Sequence, residues 1–188
     1  MSTETKALLE DLYEVPGKAE LVDGGLLTVT PTGFLPGYAG DEIFVSLREH
    51  SRHTRSGIAV GDNKAFLVNL PNRQSFSPDA ALYVGKIPGM KFFDGAPIFT
   101  VEVRSENDYG PKPELEMAQK RADYFAGGTL VVWDVDLLSE DVVKVYRATN
   151  PDHPDIFRRG DIADAEPAVP GWRFPVDSLF YQYFIAVE

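Results

Sequence analysis

Three short, uninterrupted apolar runs constrain the fold of this chain more than any other feature: A-A-L-Y-V from Ala80, I-F-T-V-E-V from Ile98 and L-V-V-W-D-V from Leu130. A strand with one wet face alternates apolar and polar residues, whereas runs like these fit strands covered on both faces. Each run still carries a carboxylate. Asp79 opens the first, after Pro78, and Glu102 sits in the second between Val101 and Val103. Trp133 and Asp134 lie in the third and read as core packing followed by a turn. With 188 residues, 44% of them hydrophobic, the chain can bury one sizeable core but not two ordinary ones, so a single domain over residues 1–188 is expected.

The remaining elements follow from periodicity and punctuation. Ala7, Leu8, Leu12 and Tyr13 have helical spacing up to Pro16-Gly17, and E-L-V-D-G-G-L-L-T-V-T reads as a hairpin turning at Asp23-Gly24. Ile43, Phe44, Leu47 and His50 predict a second helix over 38–54, capped near Gly40-Asp41 and ended by Gly57. G-I-A-V and A-F-L-V-N-L read as a pair of strands around the turn at Gly61-Asp62-Asn63, and 71–76 as a polar turn. A third helix over 113–125 has Pro near its start and Gly127-Gly128 at its end. V-V-K-V-Y-R alternates like an edge strand, 149–170 reads as loop with a short hairpin, and a short packed helix is expected from Asp177.

A carboxylate within a buried strand must be compensated by a cation or by hydrogen bonds. Two strands that each present an acid, followed by a helix that points an ammonium at them, are the ingredients of a metal-assisted phosphodiesterase centre. Magnesium favours one or two carboxylates completed by water and substrate phosphate, which Asp79 and Glu102 on neighbouring strands would provide. On the third helix Leu115, Ala118, Ala122 and Phe125 form one stripe, and Met117, Lys120 and Tyr124 a second, so Lys120 lies on a face that otherwise reads as buried. The plainer alternative has Asp79 capping a turn, Glu102 paired with Arg104 or Arg121, and Lys120 snorkelling into solvent.

The order of these motifs resembles a known family. Glu20 in E-L-V-D-G, Pro78-Asp79, E-V-R-S from Glu102, and K-R-A-D-Y-F-A-G from Lys120 with the V-V-W-D-V strand after it are similar to the "putative restriction endonuclease" family, a mostly bacterial branch of the PD-(D/E)XK nuclease superfamily. The likeness runs from Glu20 to about Tyr146, with Leu179-Phe180 similar to the family's C-terminal helix. It implies a restriction endonuclease-like α/β fold, with a central mixed β-sheet flanked by helices after an N-terminal helix and hairpin, and a homodimer. Carried over by position, Asp79 and Glu102 become ligands of Mg2+ (or Mn2+), the backbone carbonyl of Val103 becomes a further ligand, and Glu20 completes the metal cage or holds Lys120. The superfamily's usual lysine place, two residues after the second acid, holds Arg104, and the lysine function in this branch moves to Lys120. Arginine does not deprotonate in proteins, so Arg104 is suited to bind phosphate or brace Glu102 and not to accept a proton. The run E-N-D-Y-G-P-K-P after Ser105 departs from the family's Ser-Pro-Ser-Thr-like run.

Charge opposes part of this reading. Lys and Arg number 18 against 29 Asp and Glu, a net −11, so an acidic chain must gather its bases on one face to approach nucleic acid. Two functions therefore stand: an Mg-dependent nuclease cutting DNA in preference to RNA, or a catalytically silent scaffold of the same fold that binds protein. A basic rim formed by Lys86, Lys91, Arg104, Lys112 and Arg121 would favour the first. Absence of cysteine excludes disulfides and thiolate metal sites and says nothing of the compartment. M-S-T-E-T-K-A-L-L-E has acids where a signal peptide wants bases, and no apolar run is long enough for a membrane span, so a cytoplasmic protein is expected. His50 and His53, three apart, and His153 in N-P-D-H-P-D read as ordinary helix and loop residues. Phe92, Phe93 and Tyr109 fit either base stacking near the site or caps on the core.

Overall fold

The structure is a computed structural model that describes residues 9–181. In chain order its elements are α1 (Leu9–Glu14), β1 (Ala19–Val22), β2 (Gly25–Thr28), α2 (Phe34–Thr54), β3 (Ile58–Gly61), β4 (Phe66–Leu67), β5 (Ser75–Phe76), β6 (Ala80–Tyr83), β7 (Phe93–Asp94), β8 (Phe99–Val103), α3 (Pro111–Ala126), β9 (Val131–Val135), β10 (Val143–Arg147), β11 (Asn150–Phe157), β12 (Ile162–Asp164) and β13 (Arg173–Pro175), followed by a 3-10 turn (Val176–Leu179). Residues 3–8 of the expected first helix lie outside the described residues.

The three apolar runs form β6, β8 and β9, and every residue within these strands is buried, whereas Val84 and Leu130 at the ends of their runs are exposed. They stand side by side in a six-stranded sheet of order β11-β10-β9-β8-β6-β3. The β8–β9 pair is parallel and the other pairs are antiparallel, so the sheet is mixed. Alternation along β8 sends Phe99, Val101 and Val103 into the core shared with Ile43 and Leu47 of α2, and Thr100, Glu102 and Arg104 to the face under α3. Trp133 stacks on Trp172 in the first core at a centroid distance of 5.0 Å, which fastens the C-terminal segment to the sheet. On the α3 side Phe76 stacks on Tyr124 at 4.0 Å, among Tyr83, Val132 and Tyr146. Each fully buried large apolar side chain contributes about 1.5–3 kcal/mol relative to exposure.

Several local expectations need correction. Helix α2 begins at Phe34, four residues early, because Pro36 falls in its first turn, where a missing N–H costs no hydrogen bond. Gly40 is thus inside the helix, buried, and a Cβ there would lie 3.7 Å from Asp79 Cβ. Strands β3 and β4 do not pair: β3 joins the main sheet, and β4 sits between β5 and β7 in a small separate one. The 71–76 segment contains β5. The strand V-K-V-Y-R is internal, and the edge is β11, whose Pro151 and Pro154 suit an exposed edge that must not pair further. On α3, Leu115 is 72% exposed and Ala118 and Ala122 face water, while Lys120, Arg121, Asp123 and Tyr124 pack inward. The helix from Asp177 is the 3-10 turn, and 182–188 lie outside the described residues. The hairpin turns at Asp23 and Gly24 with φ of 51° and 75°, as a tight turn requires.

Gly57 directs the chain from α2 into β3 with φ of 156°, and a Cβ there would stand 2.7 Å from the Tyr83 carbonyl oxygen. Gly57→Ala is expected to lose about 1–3 kcal/mol, read as a lower urea midpoint. An unchanged midpoint would show that this junction yields freely.

Candidate active site

Four elements bring acids and amines to one place on the α3 side of the sheet. Hairpin strand β1 supplies Glu20, the start of β6 supplies Asp79, β8 supplies Glu102, and the inward face of α3 supplies Lys120 and Tyr124. Lys120 Nζ lies 2.9 Å from Glu20 Oε1 and 2.8 Å from Glu102 Oε1. The Tyr124 hydroxyl donates to Glu102 Oε1 at 2.6 Å. Glu20 and Glu102 are almost wholly buried, at 2% and 6% exposure, so without these donors each would be an uncompensated charge.

Glu20 is held from both sides. The Ser77 N–H donates to its Oε1 at 2.8 Å, and Arg73 Nη1 contacts its Oε2 at 2.5 Å. Arg73 also donates through Nε to Asp123 Oδ2 at 2.9 Å, and Asn72 and Gln119 supply further donors to Asp123. Arg73 is thus a buried hub between hairpin and helix. It lies in a segment with no periodic signal, and no local pattern in the sequence marks it.

Asp79 joins the cluster through the main chain and through an amine that the motifs do not include. Its Oδ2 accepts the Val103 N–H at 2.7 Å, and its Oδ1 accepts from Lys18 at 2.6 Å, with Asp62 Oδ1 2.7 Å from the same ammonium. Val103 stands beyond the last β6–β8 pair, Ala80 with Val101, so its polar groups on that side are outside the ladder. The next N–H, Arg104, is bonded to Val135 of β9. Polar groups alternate sides along a strand, which turns the Val103 carbonyl to the Asp79 side. The sequence carries one signal that marks Lys18: it stands two residues before Glu20, just ahead of β1, where extended backbone would put both on one face.

Burial and neighbours drive the acids apart. Burial alone would raise the pKa of Glu20, but Lys120 and Arg73 outweigh it and hold that carboxyl below the ordinary value. Glu102 is pushed up, by burial first and also by Asp79 and Glu20, against the pull of Lys120. Burial would lower Lys120, yet Glu102 and Glu20 overcome it and raise it, so the amine remains an ammonium. Burial and the adjacent Glu102 push the Tyr124 phenol well up, which keeps it a hydrogen donor.

Arg104, at the superfamily's usual lysine position, touches neither Glu102 nor open space. It forks onto Asp134 at 2.7 and 2.8 Å and onto Glu114, and its pKa is raised, first through the bonds to Asp134 and Glu114. Arg121 adds a contact to Asp134 at 3.3 Å and lies over the Tyr146 ring at 4.1 Å. Asp134 is accordingly a fully buried mid-strand ion-pair partner and does not form a turn. Of the other bases, Lys112 pairs with exposed Glu116, and Lys86 and Lys91 lie on the loop after Tyr83, at the end of β6 away from Asp79. These five bases form no rim around the acids. The aromatic candidates are occupied elsewhere: Phe92 stacks on Tyr13, Phe93 on Phe66, and the Tyr109 hydroxyl donates to Asp136. His50 Nε2 lies 3.1 Å from the Pro170 carbonyl oxygen, and His53 and His153 are exposed.

The donor set suits a hard divalent cation. Tyr124 and Lys120 both bind Glu102 Oε1 and leave Oε2 for another partner, and the Asp79 carboxylate and the Val103 carbonyl are oxygen donors on the same side. Among the described residues no three acidic or histidine side chains converge to enclose an ion. The protein would therefore offer two carboxylates and a carbonyl, with the rest of the shell left to water and phosphate, as magnesium prefers.

A mixed sheet between helices, with buried acids at adjoining strand ends and a lysine on the following helix, is the architecture of a nuclease-like protein. The chain belongs to the family described as Uma2, putative restriction endonuclease, which matches residues 9–177. The fold is similar to that of a solved structure from Anabaena variabilis, described as a putative nuclease belonging to DUF820, with a TM-score of 0.72, 16% identity, and coverage of 93% of this chain and 97% of that one. No curated protein matches the chain. No helix among the described residues is long and apolar enough to cross a membrane.

Proposed function

We propose that this protein is a nuclease that hydrolyses phosphodiester bonds with the help of Mg2+ or Mn2+ held by Asp79, Glu102 and the Val103 carbonyl. The observation that carries this reading is the Lys120 ammonium suspended between Glu20 and Glu102. A divalent ion bound there supplies Lewis acidity at a phosphate oxygen and acidifies a water. Lys120 has three donors, and two are directed at Glu20 and Glu102, which leaves one to orient an attacking water or to neutralise charge growing on the phosphate. Flanked by two carboxylates, Lys120 takes the part of a donor in this reading and not of a proton acceptor. Glu20, fixed by Arg73, holds the ammonium at the correct height, and Tyr124 fixes the rotamer of Glu102. The reading extends to DNA in preference to RNA and to a homodimer, as the family resemblance implies, and to a single-domain cytoplasmic protein, as chain length and hydropathy suggest.

The test is cleavage of supercoiled plasmid DNA and of single-stranded RNA with magnesium or manganese, comparing wild type with Asp79→Ala, Glu102→Ala and Lys120→Ala. Each variant is expected to lose about 10²–10³-fold in rate or more. Equal activity in all four proteins removes the proposal. A second reading, a catalytically silent scaffold that binds protein, draws support from the scattered bases and the net charge of −11. Calorimetric titration with manganese separates the two, since a scaffold has no reason to bind the ion through Asp79.

A further inference from the structure

Lys18 occupies a place that the nuclease reading leaves unexplained. Its ammonium sits 2.6 Å from Asp79 Oδ1 and 2.7 Å from Asp62 Oδ1. The three groups differ in exposure: the Lys18 side chain is 14% accessible, Asp79 22% and Asp62 49%. The amine is therefore covered on the Asp79 side and opens to solvent on the Asp62 side. All three are anchored. The Lys18 carbonyl accepts the Val29 N–H at 3.0 Å across the hairpin, Asp62 Oδ1 accepts the Asn63 N–H at 2.7 Å in the turn after β3, and Asp79 Oδ2 is bound to Val103. Both oxygens of Asp79 are thus engaged, one by a fixed backbone donor and one by a positive charge on a flexible four-carbon stem.

Resting on the metal-centre reading above, we propose that Lys18 is a tethered counter-cation. It neutralises Asp79 beside Glu102, gives up that contact and keeps the one to Asp62 when a divalent ion takes the Asp79 oxygen, and so sets how tightly that ion is held. A divalent ion and an ammonium on one carboxylate oxygen repel each other strongly, so the amine has to yield. Asp62, already bound to the ammonium on the solvent side, retains it, so that after yielding the cation remains beside the site, where an anionic phosphate would lie. Lys18 is in this sense a positioning residue whose partner is the metal ligand and not the reacting bond.

The experiment is calorimetric titration of Mn2+ into the full chain, for wild type, Asp79→Ala, Lys18→Met, Asp62→Asn and the Lys18→Met/Asp62→Asn double variant. Lys18→Met is expected to bind Mn2+ on the order of tenfold more tightly than wild type, because the competing charge is gone. Asp62→Asn retains the side-chain oxygen used by Asn63 and lies on a half-exposed turn, so it tests the idea independently if Lys18→Met fails to fold. It is expected to weaken Mn2+ binding several-fold when Lys18 is present and to have little effect when Lys18 is methionine, the signature of a pair acting as a unit. Unchanged or weaker binding in Lys18→Met, or an Asp62→Asn effect of the same size in both backgrounds, overturns the proposal. If wild type binds Mn2+ in an Asp79-dependent way and these variants leave the affinity alone, only the role of Lys18 falls. If wild type shows no Asp79-dependent binding, the metal centre itself is wrong and this inference falls with it.

Discussion

Arg73→Met is expected to cost the fold about 3–5 kcal/mol. The guanidinium is 5% exposed and bridges two nearly buried carboxylates, Glu20 at 2% and Asp123 at 4%. Methionine fills much of the volume but leaves both acids short of a charged donor. Asp123 keeps only neutral amides, from Asn72 and Gln119, and Glu20 keeps Lys120 and Ser77. Removing one member of a buried pair costs more than the pair contributes, because the survivor remains desolvated. Arg73→Lys is expected to rescue little, since a single ammonium cannot reproduce a fork that reaches two carboxylates in different directions. Urea unfolding followed by tryptophan fluorescence measures both variants, and a loss below about 1 kcal/mol, the size of an exposed ion pair, would show that the acids find other partners.

The same residue shows where sequence reading stopped. Glu102 is legible because valines on either side place it inside a buried strand, and Lys120 because Met117 and Tyr124 lie on the same face of α3. The hairpin is legible because Asp23-Gly24 fits a turn with positive φ. Arg73 is not, because its partners are 53 and 50 residues away in the chain and its neighbours Asn72 and Gln74 look like ordinary turn residues. Hydrophobic periodicity misled on α3 for a physical reason. The sheet face beneath that helix carries Glu102, Arg104 and Asp134, so the helix turns Lys120, Arg121 and Tyr124 toward it and leaves Leu115 in water. The edge strand β11 resembled a loop because Pro151 and Pro154 disqualify a central strand but suit an edge. Long-range charge pairing, unlike apolar burial, leaves no local period to find.

Lys120→Met is expected to make stability fall more steeply as pH rises, because Glu102, already raised in the native protein, loses the main charge that opposes the rise. In the native protein Glu20 has its pKa lowered, so its contribution is present above the unfolded value of 4.5 and is lost only as pH falls through the lower folded value. Lys120, raised in the folded state, contributes at every pH below its unfolded value of 10.5 and loses that contribution as pH rises through the folded one. Replacing the ammonium by a thioether removes the largest favourable charge from both Glu20 and Glu102. Arg73 still restrains Glu20, so the excess falls on Glu102, already raised by burial and by Asp79. A carboxyl with a raised folded pKa stabilises the fold only while protonated, and that stability is lost as pH rises through the raised value. The variant should therefore be about 3–5 kcal/mol less stable than wild type near pH 8, with the gap closing on acidification by about 1.4 kcal/mol per pH unit for each proton taken up. Urea midpoints for both proteins between about pH 8 and about pH 5 test this, over a range in which both states of a linked carboxyl are sampled. A gap that stays constant across the range would mean that Glu102 does not rely on Lys120, and the three-group cluster would then not be the unit from which the candidate site is built.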